Sequence, residues 1–260
     1  MILDEIAAAT RKRIAAEKEQ IPLEEIKAQA CALPSDTGFP FEQALKKDGI
    51  QFICEVKKAS PSKGVIAEEF PYLDIAGDYE HAGAAAISVL TEPYYFKGSD
   101  TYLREIVQEV RIPVLRKDFT VDPYMIYQAK VLGASAVLLI CAILTDEELS
   151  EYHRIADSLG LSALVEAHDE TEVARALACG ARIIGVNNRD LRNFQVDITN
   201  SVRLRKLVPE EIVFVSESGM KTPEDIAVLR KNGTDAVLIG ETLMRSPDKR
   251  EALEKLRGNV

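Results

Sequence analysis

Hydrophobic residues recur along this chain in short runs, each followed by a longer segment in which apolar and polar residues alternate at helical spacing. From residue 52 onward the runs are aliphatic or β-branched, and successive residues on both faces are apolar. Because strands of a parallel sheet are covered on both faces, this pattern predicts buried parallel strands. The runs occupy residues 52–58, 85–91, 113–119, 136–142, 162–168, 182–188, 212–218 and 236–242.

The segments between the runs predict helices with recognisable ends. Thr145 and Thr222 stand where a side-chain oxygen can cap the first turn of a helix. Gly160 and Gly233 close the same two segments, where a left-handed backbone is unstrained for glycine. Eight strand–helix units over residues 51–260 predict an α/β fold, a closed (β/α)₈ TIM barrel.

An open doubly wound sheet is the alternative fold. That fold normally carries a glycine-rich first turn, and neither G-x-G-x-x-G nor G-x-x-x-x-G-K-[ST] occurs in the sequence. Residues 1–50 precede the first run and predict an N-terminal helical extension, with two or three helices packed outside the barrel and a loop over 33–40. We therefore expect one domain spanning residues 1–260.

Composition narrows the class of protein. A formal net charge of −10 argues against a nucleic-acid partner. The four cysteines are far apart and form no Cys-x-x-Cys pair, so we expect reduced thiols and no metal site. Neither a signal-like apolar segment nor a membrane-spanning run occurs. We expect a cytoplasmic protein without a membrane partner. A monomer is the expected state, and the sequence leaves an oligomer open.

Charged residues stand at the ends of several predicted strands. A period of two places Glu55 and Lys57 on the same face as Ile53, and Lys117 and Glu166 end the third and fifth runs. Chemistry in such barrels lies at the carboxyl ends of the strands, so these side chains should converge. A neighbouring ammonium and partial burial should lower the pKa of a lysine there and suit it to acid–base work. A stabilising ion-pair network is the alternative interpretation.

The ends of the last two strands have a different pattern. Gly219 in "SESG" and Gly240 in "IGET" each follow a strand and precede a helix. Loops seven and eight of these barrels often bind phosphate through backbone amides, and glycine permits a close approach of the anion. Ser60 can add a hydroxyl from loop one, and Lys57 can neutralise the charge.

Eight motifs, read together, resemble the indole-3-glycerol phosphate synthase family of tryptophan biosynthesis over nearly the whole chain. They are "EVKKASPSKG", "LTEPYYFKGS", "VLRKDF", "QAKVLGASAVLLI", "LVEAHDE", "IGVNNRDL", "VSESGM" and "VLIGETLM". The resemblance implies a lyase that converts 1-(2-carboxyphenylamino)-1-deoxyribulose 5-phosphate to indole-3-glycerol phosphate, CO₂ and water. It implies no cofactor and no metal, and a small-molecule partner, the phosphorylated anthranilate–ribulose adduct.

The resemblance also implies catalytic roles, carried over motif by motif. Lys117 is similar to the general acid that protonates the ribulose carbonyl. Glu166 is similar to a carboxylate that works with the reacting amine and hydroxyl. Lys57 and Glu55 resemble the pair that serves the dehydration, and Asn187 resembles a substrate-orienting amide.

The remaining implied residues bind substrate. Phe96 and Phe119 should sandwich the anthranilate ring, and Arg189 should bind above the site. The others, most of them in the phosphate pocket, are Ser60, Glu217, Ser218, Gly219, Leu238, Gly240 and Glu241. Glu241 departs from members that have serine there, so its carboxylate must point away from the phosphate.

Several charged residues near these motifs receive structural assignments. His168 lies two residues after Glu166, and we assign it a helix-capping or structural role. Asp118 and Asp190 should face away from the site. The basic run 11–13 should be a solvated helix face.

Two other functions stay open from the sequence. A sugar-phosphate isomerase similar to phosphoribosylanthranilate isomerase would use an Asp/Cys pair, but Cys54 should face away from Glu55. A non-catalytic phosphosugar-binding barrel would be expected to lose the charged set while keeping the two glycine motifs. Because both sets are present, these functions rank below the lyase.

Overall fold

The computed structural model describes residues 2–190 and 194–258. Within these residues eight parallel strands close into a barrel in which each strand pairs with its neighbours in sequence and the first pairs with the last. The predicted (β/α)₈ barrel is confirmed and the open sheet is excluded. The strands are β1 Gln51–Val56, β2 Ala86–Leu90, β3 Val114–Lys117, β4 Ala136–Ile140, β5 Ser162–Ala167, β6 Ile183–Asn187, β7 Val213–Glu217 and β8 Ala236–Ile239.

Every strand ends one to three residues before the predicted run does. The trailing residues, such as Lys57, Asp118 and Gly240, leave the hydrogen-bonded ladder and turn over the open end of the barrel. The predicted runs were too long because some of these trailing residues are apolar and continue the pattern of the strand. Most polar groups of the site therefore lie on the last two residues of a strand or just beyond it.

Helices alternate with the strands, and a short hairpin of Ala59–Ser60 with Gly64–Val65 follows β1. Thr145 and Thr222 each make the predicted cap, in a complete capping box. None of the helices in the described residues is long and apolar enough to cross a membrane. The helices are α1 Ile2–Gln20, α2 Leu23–Cys31, α3 Pro40–Leu45, α4 Tyr72–His81, α5 Asp100–Glu109, α6 Pro123–Val131, α7 Asp146–Ser158, α8 Glu170–Ala178, α9 Thr199–Leu204, α10 Pro223–Lys231, α11 Glu241–Met244 and α12 Lys249–Arg257.

Strand alternation divides the apolar residues into two cores. Inward positions such as Ile53, Leu115 and Leu164 fill the barrel, and outward positions such as Cys54 and Val89 pack beneath the helices. Burying this much apolar surface is the main stabilising contribution to the fold. Cys54 lies on the opposite side of β1 from Glu55, as predicted.

Two of the three N-terminal helices do more than pack outside the barrel. Leu3 and Ile6 of α1 join the inner core and line the cavity at its mouth. Phe41 and Leu45 of α3 are fully buried in the same core, at the amino ends of the strands. The extension therefore covers both ends of the barrel, because each end would otherwise expose apolar side chains.

Ion pairs fasten α1 to the barrel. Nη2 of Arg13 lies 2.8 Å from Oδ2 of the buried Asp118, and Nζ of Lys18 lies 2.6 Å from Oδ2 of Asp122. The Thr91 hydroxyl also donates to Asp118, at 2.6 Å. These contacts support the structural assignment of Asp118, although Asp118 also lines the cavity at the barrel mouth. The expectation of a solvated face is wrong for Arg13, whose side chain is 10% exposed.

Candidate active site

A cavity of about 740 Å³ opens at the carboxyl ends of the strands. All fifteen residues predicted to be catalytic or substrate-binding line it. They converge because inward positions at the ends of parallel strands meet at one end of a barrel. Their proposed roles rest on how they are arranged there.

Glu55 and Lys57 form an ion pair at the end of β1. Nζ of Lys57 lies 2.6 Å from Oε1 of Glu55, whose other oxygen accepts a bond of 3.3 Å from Ser88. Burial opposes ionisation of Glu55, but the charges of Lys57 and Lys117 outweigh it and lower the pKa of Glu55. Gly240 leaves room for the pair, because a Cβ there would lie 2.6 Å from Oε1 of Glu55.

Lys117 stands between two buried carboxyl groups. Its Nζ lies 3.4 Å from Oε2 of Glu166 and 3.4 Å from Oε2 of Glu217. Burial disfavours its charge, yet Glu217, Glu166 and Glu55 together raise the pKa of Lys117 above its usual range. The expectation of a lowered lysine pKa is therefore wrong at this position, since three carboxyl groups outweigh desolvation. Lys117 enters a reaction carrying its proton.

Glu166 and Glu217 have opposite titration behaviour although both are buried. Burial works against ionisation of Glu166, but Lys117, His168 and a hydrogen bond from Asn187 lower the pKa of Glu166. For Glu217, burial and the neighbouring charge of Glu166 outweigh Lys117 and raise its pKa to about 8. At neutral pH the two carboxyl groups therefore hold one proton, on Glu217.

Gly185, in the middle of β6, makes room for Glu217. A Cβ on Gly185 would overlap Oε1 of Glu217 and lie 3.1 Å from Cδ1 of Leu164. Sequence reasoning missed this residue, although a glycine inside a strand often marks a close approach of other atoms. The absence of a side chain on β6 thus decides where the carboxyl group of β7 lies.

Aromatic side chains form one corner of the cavity. The ring centroids of Phe96 and Phe119 lie 6.0 Å apart, with planes tilted by 40°. The rings contact each other. The predicted sandwich requires a slot for a third ring between them, and this arrangement leaves none. A planar ligand can instead rest against both rings from one side, in the cavity that the buried Leu238 also lines.

The loop after β7 has an unusual backbone. Ser218 and Gly219 both have positive φ, 66° and 98°. A Cβ on Gly219 would lie 2.5 Å from Cγ1 of Val196. A non-glycine residue in this region is strained, and such residues cluster at functional sites.

Ser60, Gly240 and Glu241 line the same cavity from the loops after β1 and β8. The carboxylate of Glu241 lies 3.2 Å from Nε of Arg245 and 3.8 Å from Nζ of Lys63. The Glu241 carboxylate thus has two cationic partners, and its orientation away from a bound phosphate stays a prediction.

Asn187 and Arg189 follow each other at the end of β6. The backbone N–H of Arg189 donates to Oδ1 of Asn187 at 3.0 Å, which leaves the amide nitrogen of Asn187 to face Glu166. Arg189 lies at the start of a loop whose residues 191–193 are outside the described part of the chain. No group of three or more His, Cys, Asp or Glu side chains in the described ranges could hold a metal ion.

Sequence reasoning missed two contributions to the site. Ile2, Leu3 and Ile6 of α1 line the cavity, whereas the sequence had predicted only helices packed outside the barrel. His168 lies 3.5 Å from Glu166 through its Nε2 atom. Neither contact is encoded by local spacing, because both depend on how elements meet in the fold.

Comparison with known proteins decides the family. The family model described as indole-3-glycerol phosphate synthase matches residues 3–256. The chain belongs to the indole-3-glycerol phosphate synthase family. The indole-3-glycerol phosphate synthase of Ruminiclostridium cellulolyticum is 60% identical over 260 residues, which cover 100% of each chain. That of Endomicrobium trichonymphae is 54% identical over 257 residues, or 99% of this chain and 100% of the relative. The resemblance predicted from the motifs is confirmed.

Solved structures outside the indole-3-glycerol phosphate synthase family share the fold. Thiamine phosphate pyrophosphorylase from Pyrococcus furiosus has a TM-score of 0.58 at 17% identity and covers 84% of this chain and 96% of its own. A 3-hexulose-6-phosphate synthase has a TM-score of 0.62 at 14% identity and covers 81% of this chain and 100% of its own. At these identities the likeness concerns the barrel alone.

Proposed function

We propose that this protein is an indole-3-glycerol phosphate synthase, a carboxy-lyase that closes the indole ring of 1-(2-carboxyphenylamino)-1-deoxyribulose 5-phosphate. The observation that carries the proposal is the contact of Lys117 with Glu166 and Glu217 in the cavity of a chain that belongs to this family. An ammonium that keeps its proton beside one ionised and one neutral carboxyl group suits a reaction that needs both acids and a base.

Substrate binding divides the cavity by chemistry. The apolar corner formed by Phe96, Phe119 and Leu238 takes the anthranilate ring, and Arg189 binds above it. The phosphate group is held by hydroxyl and backbone N–H groups of the remaining loops, those of Ser60, Ser218, Gly219, Gly240 and Glu241.

Ring closure is the first chemical step. Lys117 gives a proton from Nζ to the ribulose carbonyl oxygen, and the ring carbon that bears the carboxylate attacks the carbonyl carbon. A carbon–carbon bond forms, and the bond to the carboxylate then breaks to release CO₂ and restore the aromatic ring. The step consumes one proton, which the raised pKa of Lys117 keeps available.

Dehydration is the second step. The new hydroxyl group leaves as water with a proton from Lys57, while a proton from the adjacent carbon passes to Glu166. No proton is consumed overall. Glu55 holds Nζ of Lys57 in place through their contact of 2.6 Å, and Asn187 orients Glu166.

Product formation tests the proposal directly. Purified protein is mixed with the substrate, and indole fluorescence is followed. The chain contains no tryptophan, so the protein adds no indole background. Lys117→Met should lower kcat by about 10²-fold or more while substrate still binds. Wild-type protein that forms no product would reject the function, and a fully active Lys117→Met variant would reject the role of Lys117.

Compartment and assembly belong to the same proposal. The four cysteines are free, which supports a reducing compartment, the cytoplasm. Since α1 and α3 each complete one end of the barrel, the chain should act as one domain and as a monomer. Light scattering after size-exclusion chromatography measures the mass, and twice the chain mass of 28.7 kDa would contradict the monomer.

A further inference from the structure

His168 is held in place by the helix that follows it. Its backbone N–H donates to Oε2 of Glu172 at 2.7 Å, and its ring atom Nδ1 lies 3.0 Å from the same oxygen. Asn200 on α9 donates to the backbone carbonyl of His168 at 3.1 Å. The residue that caps α8 is Asp169, so the helix-capping role expected for His168 is wrong. The ring is therefore not explained by capping, and its contacts indicate a different role.

The contacts of the ring fix where its protons lie. The Glu172 carboxylate only accepts hydrogen bonds, so Nδ1 carries a proton. The other nitrogen, Nε2, is buried, has no hydrogen-bond partner among the described residues and lies 3.5 Å from Oε1 of Glu166. A lone pair on Nε2 would face the lone pairs of a carboxylate, whereas a proton there makes the contact attractive. The geometry therefore favours an imidazolium ion.

The surrounding charges support a charged ring. The groups that face His168 are Glu166 on β5 and Glu172 on α8, with Glu217 farther away on β7. Lys117 lies against the other oxygen of Glu166, Oε2, at 3.4 Å. Burial disfavours the imidazolium, but the hydrogen bond to Glu172 and the three carboxyl groups outweigh it and raise the pKa of His168.

We infer that His168, anchored by Glu172, is a positioning residue that holds a charged N–H against Oε1 of Glu166 and keeps this carboxylate ionised. His168 does not line the cavity, so it acts on the substrate only through Glu166. The inference rests on the proposed function, in which Glu166 accepts a proton during dehydration. Without His168, Glu166 would compete with Glu217 for the proton that the two share.

The pH dependence of kcat separates this role from a merely structural one. His168→Gln places a neutral amide near Glu166, and His168→Asn keeps a partner for Glu172 but cannot reach Glu166. In both variants the acid limb of the profile should move up by about 1 pH unit, so that kcat falls by up to about tenfold on the acid side of that limb and stays near the wild-type value at pH 8. KM should stay within about twofold.

Two further variants complete the kinetic test. Glu172→Gln removes the charge that supports the imidazolium, so its acid limb should move in the same direction as that of His168→Gln, by a smaller amount. Glu170→Gln removes the same charge from the exposed first turn of α8 and should leave the profile unchanged. A loss of kcat that is uniform across pH, or a wild-type profile in His168→Gln, would overturn the inference.

A measurement without substrate keeps this inference separable from the proposed function. The chain has three histidines, and the His168 ring signal in an NMR titration is assigned by its absence in His168→Gln. Glu166→Gln and Glu172→Gln should each lower the pKa of His168, while Glu170→Gln should not. If His168 titrates equally in all four proteins, the inference fails even when the wild type makes product. If only product formation fails, the proposed function falls instead.

Discussion

The carboxyl group of Glu217 lies inside the barrel mouth because Gly185, on the neighbouring strand, has no side chain. Gly185→Ala would insert a methyl group against Oε1 of Glu217 and Cδ1 of Leu164, so the carboxyl group must move away from Lys117. We expect kcat to fall by about tenfold, since small displacements of acid–base groups are costly to a reaction. Steady-state kinetics of the variant measures this effect.

Gly77→Ala is the matched control for Gly185→Ala. Gly77 lies within α4, and a Cβ there would meet no atom within 4 Å. Alanine in a helix should leave kcat unchanged and raise stability slightly, by about 0.5–1 kcal/mol. Equal kcat in the wild type and Gly185→Ala would show that the mouth tolerates a displaced Glu217.

The raised pKa of Glu217 makes a prediction about stability. Its pKa is about 8 in the folded protein and 4.5 in an ordinary environment, so protonation favours the folded state. The stabilisation is fully present below pH 4.5 and is lost as the pH rises through 8. Glu217→Gln keeps the shape without the titration, so between pH 5 and pH 8.5 its Tm should rise relative to that of the wild type by about 5 °C. A constant Tm difference across this range would contradict the assignment of the proton to Glu217.

At the scale of elements, α1 is a wall of the cavity held by a side-chain pair. Arg13→Gln removes the charged partner of the buried Asp118, so α1 and its apolar residues should loosen over the mouth. We expect KM for the substrate to rise about 3- to 10-fold with a smaller change in kcat, as for lost binding interactions.

Arg11→Gln serves as the control because Arg11 lies on the same helix and is exposed. It removes the same charge without touching the barrel, so KM should stay at the wild-type value. If both variants change KM alike, the effect comes from net charge and α1 is not held by Arg13.

At the scale of the whole molecule, the two ends of the barrel carry ion pairs with different purposes. At the base, Nε of Arg182 lies 2.7 Å from Oε2 of the buried Glu42. Arg182→Met leaves Glu42 with Lys46 alone and should cost about 1–3 kcal/mol of stability, with unchanged turnover per folded molecule. Lys57→Met at the mouth should nearly abolish turnover, while its effect on Tm should be smaller than that of Arg182→Met. Thermal melts and kinetics on both variants measure this contrast, and the reverse ranking would make Glu55–Lys57 a structural pair.

Much of this architecture could be predicted from periodicity. Alternation along β1 placed Glu55 inward and Cys54 outward, and the strand ends marked Lys117 and Glu166. What the sequence did not predict depends on stagger between strands. That Gly185 lies under a carboxyl group of the next strand follows from barrel geometry, which no local pattern specifies.

The same limit explains the errors in charge. The pKa of Lys117 rises because three carboxyl groups surround it. The sequence pattern placed two of them nearby, but a neighbouring ammonium and burial were expected to dominate. His168 was assigned a helix-capping or structural role. Its contact with Glu166 could not be predicted, because it depends on the direction in which Glu172 holds the ring. Burial is visible in a sequence pattern, but the balance of charges around a buried group is not.

For protein engineering, the position of α1 separates the residues that shape the cavity from those that transfer protons. The proton-transfer groups stand on the strands, whereas Ile2, Leu3 and Ile6 shape one side of the same cavity from a helix outside the barrel. A library randomised at these three positions would therefore sample new substrate outlines while every acid and base keeps its register. Altered selectivity can therefore be sought on α1 before any strand is changed, provided that Arg13 keeps its ion pair with Asp118.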